Sequence, residues 1–162
     1  MEKFNTPIKY LGIHSSPNGN YKATFLECSR NAHSFSFQIR LSNLNACEML
    51  TAYNAVWGAK IRYTLSNTWL CEKKCQAIQS IVLKEVLPKV KMNRNFPRTI
   101  LFGHNKYGGC SLKDHYVEQG MIAINHILSS IRVNNVVRKM ILISIKNMQI
   151  EMGTSLKMFS CV

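Results

Sequence analysis

Residues 20–40 read NYKATFLECSRNAHSFSFQIR, and this stretch decides the fold class of the chain. Its apolar side chains recur at intervals of three and four positions, at Phe25, Cys28, Ala32, Phe35 and Ile39. An α-helix has about 3.6 residues per turn, so side chains at these intervals stack on one face. The spacing therefore predicts an amphipathic helix that turns one face to a core.

The same spacing recurs four more times along the chain, which predicts about five helices. The later helices are expected to begin at Ser42 or Asn43, at Ser66 or Asn67, near Ser111 and near 136, and to end near 61, Pro88, Ile131 and 151. Ser and Asn suit a helix start because their side chains accept a hydrogen bond from a free backbone N–H. Gly58 is expected to break or kink the second helix.

Each of these later helices has a predicted apolar face. The faces are Ala46, Leu50, Tyr53, Trp57 and Ile61; Cys71, Cys75, Ile78, Val82 and Val86; Val117, Met121, Ile124, Leu128 and Ile131; and Val137, Met140, Ile141, Ile145 and Met148. These faces are expected to meet in a helical bundle.

The N-terminus differs from the helical remainder. Residues 8–13, IKYLGI, have strand character, and the turn formers SSPNGN follow at 15–20. We therefore predict a short β element over 1–20, a helical domain over 21–153 and an irregular tail over 154–162. The predicted fold class is mainly α, with a short N-terminal strand or hairpin.

Charge is the strongest indication of function. The chain has 21 Lys and Arg against 8 acidic residues, a net charge of +13. Such an excess attracts polyanions and favours nucleic acid, DNA or RNA, as the partner. Cations gather in a predicted basic loop over 88–111 that has no acidic residue, and the candidate phosphate-binding residues there are Lys89, Lys91, Arg94, Arg98 and Lys106.

Three aromatic residues lie among these cations. Aromatic rings stack on bases in nucleic-acid-binding proteins. The three are Phe96, Phe102 and Tyr107, and for Phe96 and Phe102 we expect packing onto the core instead.

Catalytic groups are not recognisable in the sequence. Polymerases hold metal ions with closely placed carboxylates, but the chain has a single aspartate, Asp114, and scattered glutamates such as Glu85, for which surface or capping roles are expected. Gly108-Gly109 does not match a phosphate-binding loop and is expected to form a turn. We predict no catalytic residues, no cofactor and no small-molecule substrate.

Two cysteines at helical spacing could ligate a metal. Cys71 and Cys75 are four positions apart, and His104, Cys110 or His115 could complete a site. Both cysteines also continue an apolar face, and free cysteine commonly packs as a small hydrophobe. We therefore predict packing and no metal site.

The remaining features bear on location. No stretch approaches the roughly 18 uninterrupted apolar residues of a membrane span, and the N-terminus has no signal-like apolar run. We expect an intracellular protein of the nucleus or cytoplasm that is not secreted, with no membrane partner and no disulfide framework.

The segment Lys9-Tyr10-Leu11-Gly12-Ile13 resembles the K-Y-L-G-[IV] segment of reverse transcriptases from non-LTR (LINE-type) retrotransposons. In that family the segment follows the catalytic palm, lies in the primer grip and leads into a helical thumb. Similar features follow in order: Arg62-Tyr63, Leu87-Pro88-Lys89, Asn93-Arg94-Asn95-Phe96-Pro97-Arg98, and Gly108-Gly109 followed by Tyr116-Val117-Glu118-Gln119-Gly120. The resemblance covers about residues 7–153.

The resemblance implies a thumb-like bundle, with Tyr10, Leu11 and Gly12 near a primer end. The family's palm, with its F/Y-x-D-D metal-binding turn, has no counterpart in this chain. The expected function is therefore a template-primer-binding fragment that does not polymerise alone and that has a palm domain as a further partner. The alternatives are an independent basic helical DNA- or RNA-binding protein and a non-functional transposon remnant with a protein-interaction role.

Overall fold

The computed structural model describes residues 8–10, 13–15, 21–133 and 136–153. Its elements are β1 (Ile8–Tyr10), β2 (Ile13–Ser15), α1 (Lys22–Leu41), α2 (Ala46–Ala52), a π-helical turn (Tyr53–Trp57), α3 (Gly58–Leu65), α4 (Glu72–Lys89), α5 (Arg98–Phe102), a 3₁₀ turn (Asn105–Tyr107), α6 (His115–Arg132) and α7 (Val136–Glu151). The predicted mainly α class is confirmed. The two strands form an antiparallel hairpin in which Tyr10 pairs with Ile13.

The contact between α1 and α4 forms the centre of the core. Cys28, Ala32, Phe35 and Ile39 are buried on α1, as their spacing predicted, and they belong to one cluster with Ile78, Val82 and Val86 of α4. Small side chains such as Ala32 let the two helices approach closely. The Ser36 hydroxyl, which is also buried, donates to the carbonyl oxygen of Ile81 at 3.1 Å.

The second predicted helix is continuous from α2 to α3 and does not break at Gly58. Its buried face is Met49, Tyr53, Trp57, Ile61 and Leu65, a strict four-residue repeat. In an α-helix each four-residue step overshoots a full turn by about 40°, so such a face would drift around the axis. The wider π-helical turn over Tyr53–Trp57 offsets that drift and places Trp57 against Phe35, with ring centroids 5.5 Å apart.

The positions at which α2 and α4 begin correct two sequence predictions. Asn45 caps α2, and neither Ser42 nor Asn43 does, because the Asn45 side chain and Glu48 exchange a reciprocal pair of hydrogen bonds. Ser66 lies at the end of α3 and does not start α4. The N-cap of α4 is Cys71, which is exposed, so the prediction that Cys71 packs in the core is wrong, whereas Cys75 is buried.

The chain divides into two compact units, Met1–Gln119 and Gly120–Val162. In the first unit α6 begins with a buried polar face and not with the predicted apolar one. His115 and Gln119 are buried, whereas Val117 is exposed. The Gln119 side chain explains its position, because it accepts from the backbone N–H of Leu70 and donates to the Leu70 carbonyl, both at 3.0 Å.

The second unit comprises the rest of α6 and α7 within the described residues. The predicted face of α7 is not buried, and Val137, Met140 and Met148 are exposed. Met121 and Ile124 of α6 are exposed as well. Apolar spacing therefore located both helices correctly without identifying a buried face on α7.

Candidate nucleic-acid interface

The interface begins where α4 ends. The backbone N–H of Met92 donates to the Leu87 carbonyl at 2.9 Å, and that of Lys91 donates to the Pro88 carbonyl at 3.0 Å. This pair of bonds is a Schellman motif, which places Lys91 at the position just beyond the helix cap. Met92 packs against the core and completes the motif.

Lys91 occupies a backbone conformation that is unusual for its residue type. Its φ is 61°, in the left-handed region. Glycine is the common residue at this position because a Cβ there clashes with the backbone. A lysine is retained here, and its side chain is exposed to solvent.

Lys89 has a different environment. It lies in the last turn of α4, is half-buried, and its ammonium donates to the carbonyl oxygen of Ser42 at the end of α1. This bond ties the ends of the two central helices together. Of the predicted phosphate-binding residues, Lys89 therefore already has a structural partner, whereas Lys91, Arg94, Arg98 and Lys106 are exposed.

The segment predicted as one basic loop contains a short helix, α5, and the 3₁₀ turn. After α5 the chain doubles back, and the backbone N–H groups of Cys110, Ser111 and Leu112 donate to the carbonyls of Ile100, Gly103 and Leu101, at 3.0, 2.8 and 3.2 Å. The two arms cross at Gly103 and Gly109, where a Cβ on Gly109 would overlap the Gly103 backbone. Gly108 forms the predicted turn, with φ 81°. This hydrogen-bonded loop, residues 103–112, is called the crossed loop below.

The tip of the crossed loop presents an aromatic ring among cations. Tyr107 is 84% exposed, and the ammonium of Lys106 lies 5.9 Å from its ring centroid. His104 approaches the same ring edge-on, and its Nδ1 accepts from the Lys106 backbone N–H at 3.1 Å. Phe96 and Phe102 pack against the core, as predicted. Tyr107 is thus the aromatic residue of the segment that is open for stacking.

Two carboxylates of the first unit, Glu27 and Glu118, pair with cations outside the basic segment. Glu27 contacts Lys9 at 2.8 Å and His14 at 3.0 Å, and its hydrogen bond to Lys9 holds the pKa of the carboxyl below its usual value. Glu118 contacts Arg62 at 3.6 Å. Among the described residues no carboxylate lies within 4.0 Å of a cation of the 88–111 segment. The exposed cations Lys91, Arg94, Arg98 and Lys106 are therefore available to an external anion.

The groups considered for chemistry have structural roles. Asp114 caps α6, because its Oδ1 accepts from the backbone N–H groups of Tyr116 and Val117 at 2.9 and 3.1 Å. Burial raises the pKa of the Cys75 thiol to about 11, which disfavours the thiolate that binds metal. Over the described ranges no three His, Cys, Asp or Glu side chains, Glu85 included, gather as a metal site.

The primer-grip-like residues are only partly described. Tyr10 ends β1, while Leu11 and Gly12 lie outside the described residues. The structure adds one residue that sequence reasoning valued only for its charge, Lys91. The sequence carries only a weak signal for this strained backbone: an apolar residue, Met92, lies three positions after the last helical residue, Lys89, and no glycine precedes it.

Comparisons with known proteins add no relative. No family model, no curated protein and no solved structure matches this chain. Among the helices of the described residues, none has both the length and the apolar character needed to cross a membrane.

Proposed function

We propose that the first unit binds nucleic acid through the phosphate groups, with Lys91, Arg94, Arg98 and Lys106 as the contacting cations. The observation that carries the proposal is Lys91 in its left-handed conformation. A glycine there would relieve backbone strain of about 1 kcal/mol. A positive charge held at that cost, beside further cations without carboxylate partners, is consistent with selection for anion binding and not for stability.

We further propose that the chain is the thumb and post-thumb part of a LINE-type reverse transcriptase, and that it grips template and primer without polymerising alone. The sequence resemblance supports this origin. The helical class and the hairpin before α1 agree with it. Within the described part of the chain no three His, Cys, Asp or Glu side chains gather as a metal site, which is also consistent with a fragment that lacks the palm.

A salt titration tests phosphate binding. Lys91→Ala combined with Arg94→Ala should weaken binding to any duplex and flatten the dependence of log affinity on log salt by about 1.8, because each lost contact removes about 0.9 from the slope. The measurement is fluorescence anisotropy of a labelled duplex across a range of salt concentrations.

The matched control removes two cations from α7, with Lys139→Ala and Lys146→Ala. Both pairs change the net charge equally, so a diffuse field would lower the affinity equally in both variants. Equal losses in the two variants would contradict a site at the basic segment.

A second candidate function, contact with a palm domain, is favoured by α7. Val136, Met140, Ile143 and Ile150 lie at helical spacing on one face, and all are exposed. A row of exposed apolar side chains is typical of a surface that another protein covers.

Met140→Glu with Ile143→Glu tests this candidate. We expect the variant to lose binding to an added LINE-type palm domain, because charges cannot be buried in an apolar contact without a large desolvation cost. Isothermal titration calorimetry measures the binding, and the Lys139/Lys146 variant of the same helix is the control. Binding that survives both glutamates would show that α7 is not the contact surface.

A further inference from the structure

A cleft opens beside the basic segment, between α4 and α5. Its volume is about 460 Å³, and Gln79, Ser80, Arg98, Thr99, Phe102 and Asp114 are among the residues that line it. Arg98 is one of the proposed phosphate-binding cations, so a strand bound at Arg98 would lie beside the cleft. The lining combines amide, hydroxyl, guanidinium and carboxylate groups with one aromatic ring.

Gln79 carries an unused hydrogen-bonding group in this cleft. The residue is 3% exposed. Its Nε2 donates to the Tyr53 hydroxyl at 2.9 Å and to the Lys113 carbonyl at 3.0 Å. A carbonyl oxygen only accepts, so the bond to Lys113 fixes which end of the amide is nitrogen. Oε1 is left as an acceptor, and within the described part of the chain no donor reaches it.

Two charged side chains, Asp114 and Arg98, add further hydrogen-bonding groups to the cleft. Asp114 uses Oδ1 to cap α6, which leaves Oδ2 as an acceptor. The Arg98 guanidinium forms no ion pair with the described carboxylates and can donate. The cleft thus offers acceptors from Gln79 and Asp114 together with a donor from Arg98.

We propose that this cleft binds the guanine base of an unpaired nucleotide, an inference that rests on the proposed nucleic-acid function. Guanine presents adjacent donors, N1–H and the N2 amino group, which match a carboxylate and an amide oxygen. It also presents the acceptors O6 and N7, the pair that arginine recognises. Adenine, cytosine and uracil each lack two adjacent donors, so the cleft discriminates against them.

Phe102 adds to the fit without adding selectivity. Its ring is part of the lining, and every base can stack on an aromatic ring. Discrimination between bases therefore depends on the hydrogen-bonding groups, which makes Asp114 the residue to change.

The test compares two RNA strands of ~12 nucleotides, a length within the range bound by single-strand-binding folds. Both are uridine throughout except for one central guanine or one central adenine. We expect the guanine strand to bind about tenfold more tightly, the discrimination expected of a good bidentate pair. Asp114→Asn should abolish that difference, since it replaces an acceptor oxygen with an amide donor.

Matched variants separate this effect from charge and folding. Asn is as good an N-cap as Asp, so Asp114→Asn retains the start of α6. Glu85→Gln makes the same change in net charge on α4 outside the cleft lining, and it should preserve the preference for guanine. Equal melting temperatures of the two variants and the wild type would confirm that both fold.

The outcomes distinguish failure of the guanine site from failure of the proposed phosphate binding. Equal, salt-dependent binding of both strands by the wild type overturns the guanine site and leaves phosphate binding intact. A guanine preference that persists in Asp114→Asn also overturns it. Calorimetry with guanosine monophosphate covers the remaining case. If the wild type binds this nucleotide, Asp114→Asn does not, and the wild type binds neither RNA strand, the result supports the guanine site and overturns phosphate binding. No binding of any of these probes overturns both.

Discussion

His115 is a neutral imidazole enclosed in the core. Its Nε2 accepts from the Trp57 indole at 2.7 Å, and burial lowers its pKa to about 4. In the unfolded chain the imidazole titrates near its usual pKa of about 6.5. Between these two values the unfolded state binds more protons than the folded state, so stability must fall as the pH falls from about 6.5 towards 4.

We expect the free energy of unfolding to drop by roughly 3 kcal/mol across that window from this residue alone, at about 1.36 kcal/mol per unit of pKa. Urea denaturation at a series of pH values measures it. His115→Gln keeps an acceptor for the indole and does not titrate, so its stability should change less over the same window. Parallel pH curves for the two proteins would contradict a buried neutral His115.

At the scale of an element, the crossed loop requires glycine at position 109, because the Gly103 backbone lies too close to leave room for a Cβ there. Gly109→Ala places a Cβ into the Gly103 backbone, so the loop must shift. We expect a loss of about 2 kcal/mol, typical of overpacking. Thermal unfolding followed by circular dichroism measures the loss.

Substitutions of two other glycines serve as controls. Gly108→Ala meets open space but keeps a φ of 81°, so it should cost only about 1 kcal/mol. Gly120→Ala also meets open space, within α6, and should stabilise the protein by about 0.5–1 kcal/mol. Similar losses at Gly108 and Gly109 would show that the two arms do not cross closely.

Helices were predictable from the sequence where their faces are apolar. The α1 face from Cys28 to Ile39 satisfied the helical spacing and is buried. The start of α6 was not predictable in this way, because hydrogen bonds bury its polar His115 and Gln119, and a search for apolar periodicity passes over such residues. The short α5 was missed because five residues are too few to show a period.

The candidate site was predictable in part for a similar reason. Local composition alone located the basic segment, since its cations have no acidic residue among them. Composition could not distinguish Lys89, which contacts Ser42, from Lys91, which is exposed and strained, because the difference arises from how α4 ends against α1. Gln79 was invisible to sequence reasoning, since its unused oxygen depends on contacts with Tyr53 and Lys113.

At the scale of the whole molecule, we propose that positive charge at the basic segment serves anion binding at the expense of stability. The net charge of +13 alone is compatible with a diffuse field. Substitutions at Lys91 distinguish a local site from a diffuse field, because the charge can be removed either alone or together with the backbone strain. Ala removes the charge and keeps the Cβ in the left-handed region, whereas Gly removes both.

The most direct measurement is therefore the stability and the duplex affinity of Lys91→Gly and Lys91→Ala, side by side with the wild type. We predict that both variants lose duplex affinity equally, by roughly five- to tenfold near 0.1 M salt. We also predict that Lys91→Gly alone becomes more stable, by about 1 kcal/mol. If Lys91→Gly gains stability while its affinity for the duplex stays at the wild-type value, Lys91 makes no phosphate contact, and its strained conformation does not serve nucleic-acid binding.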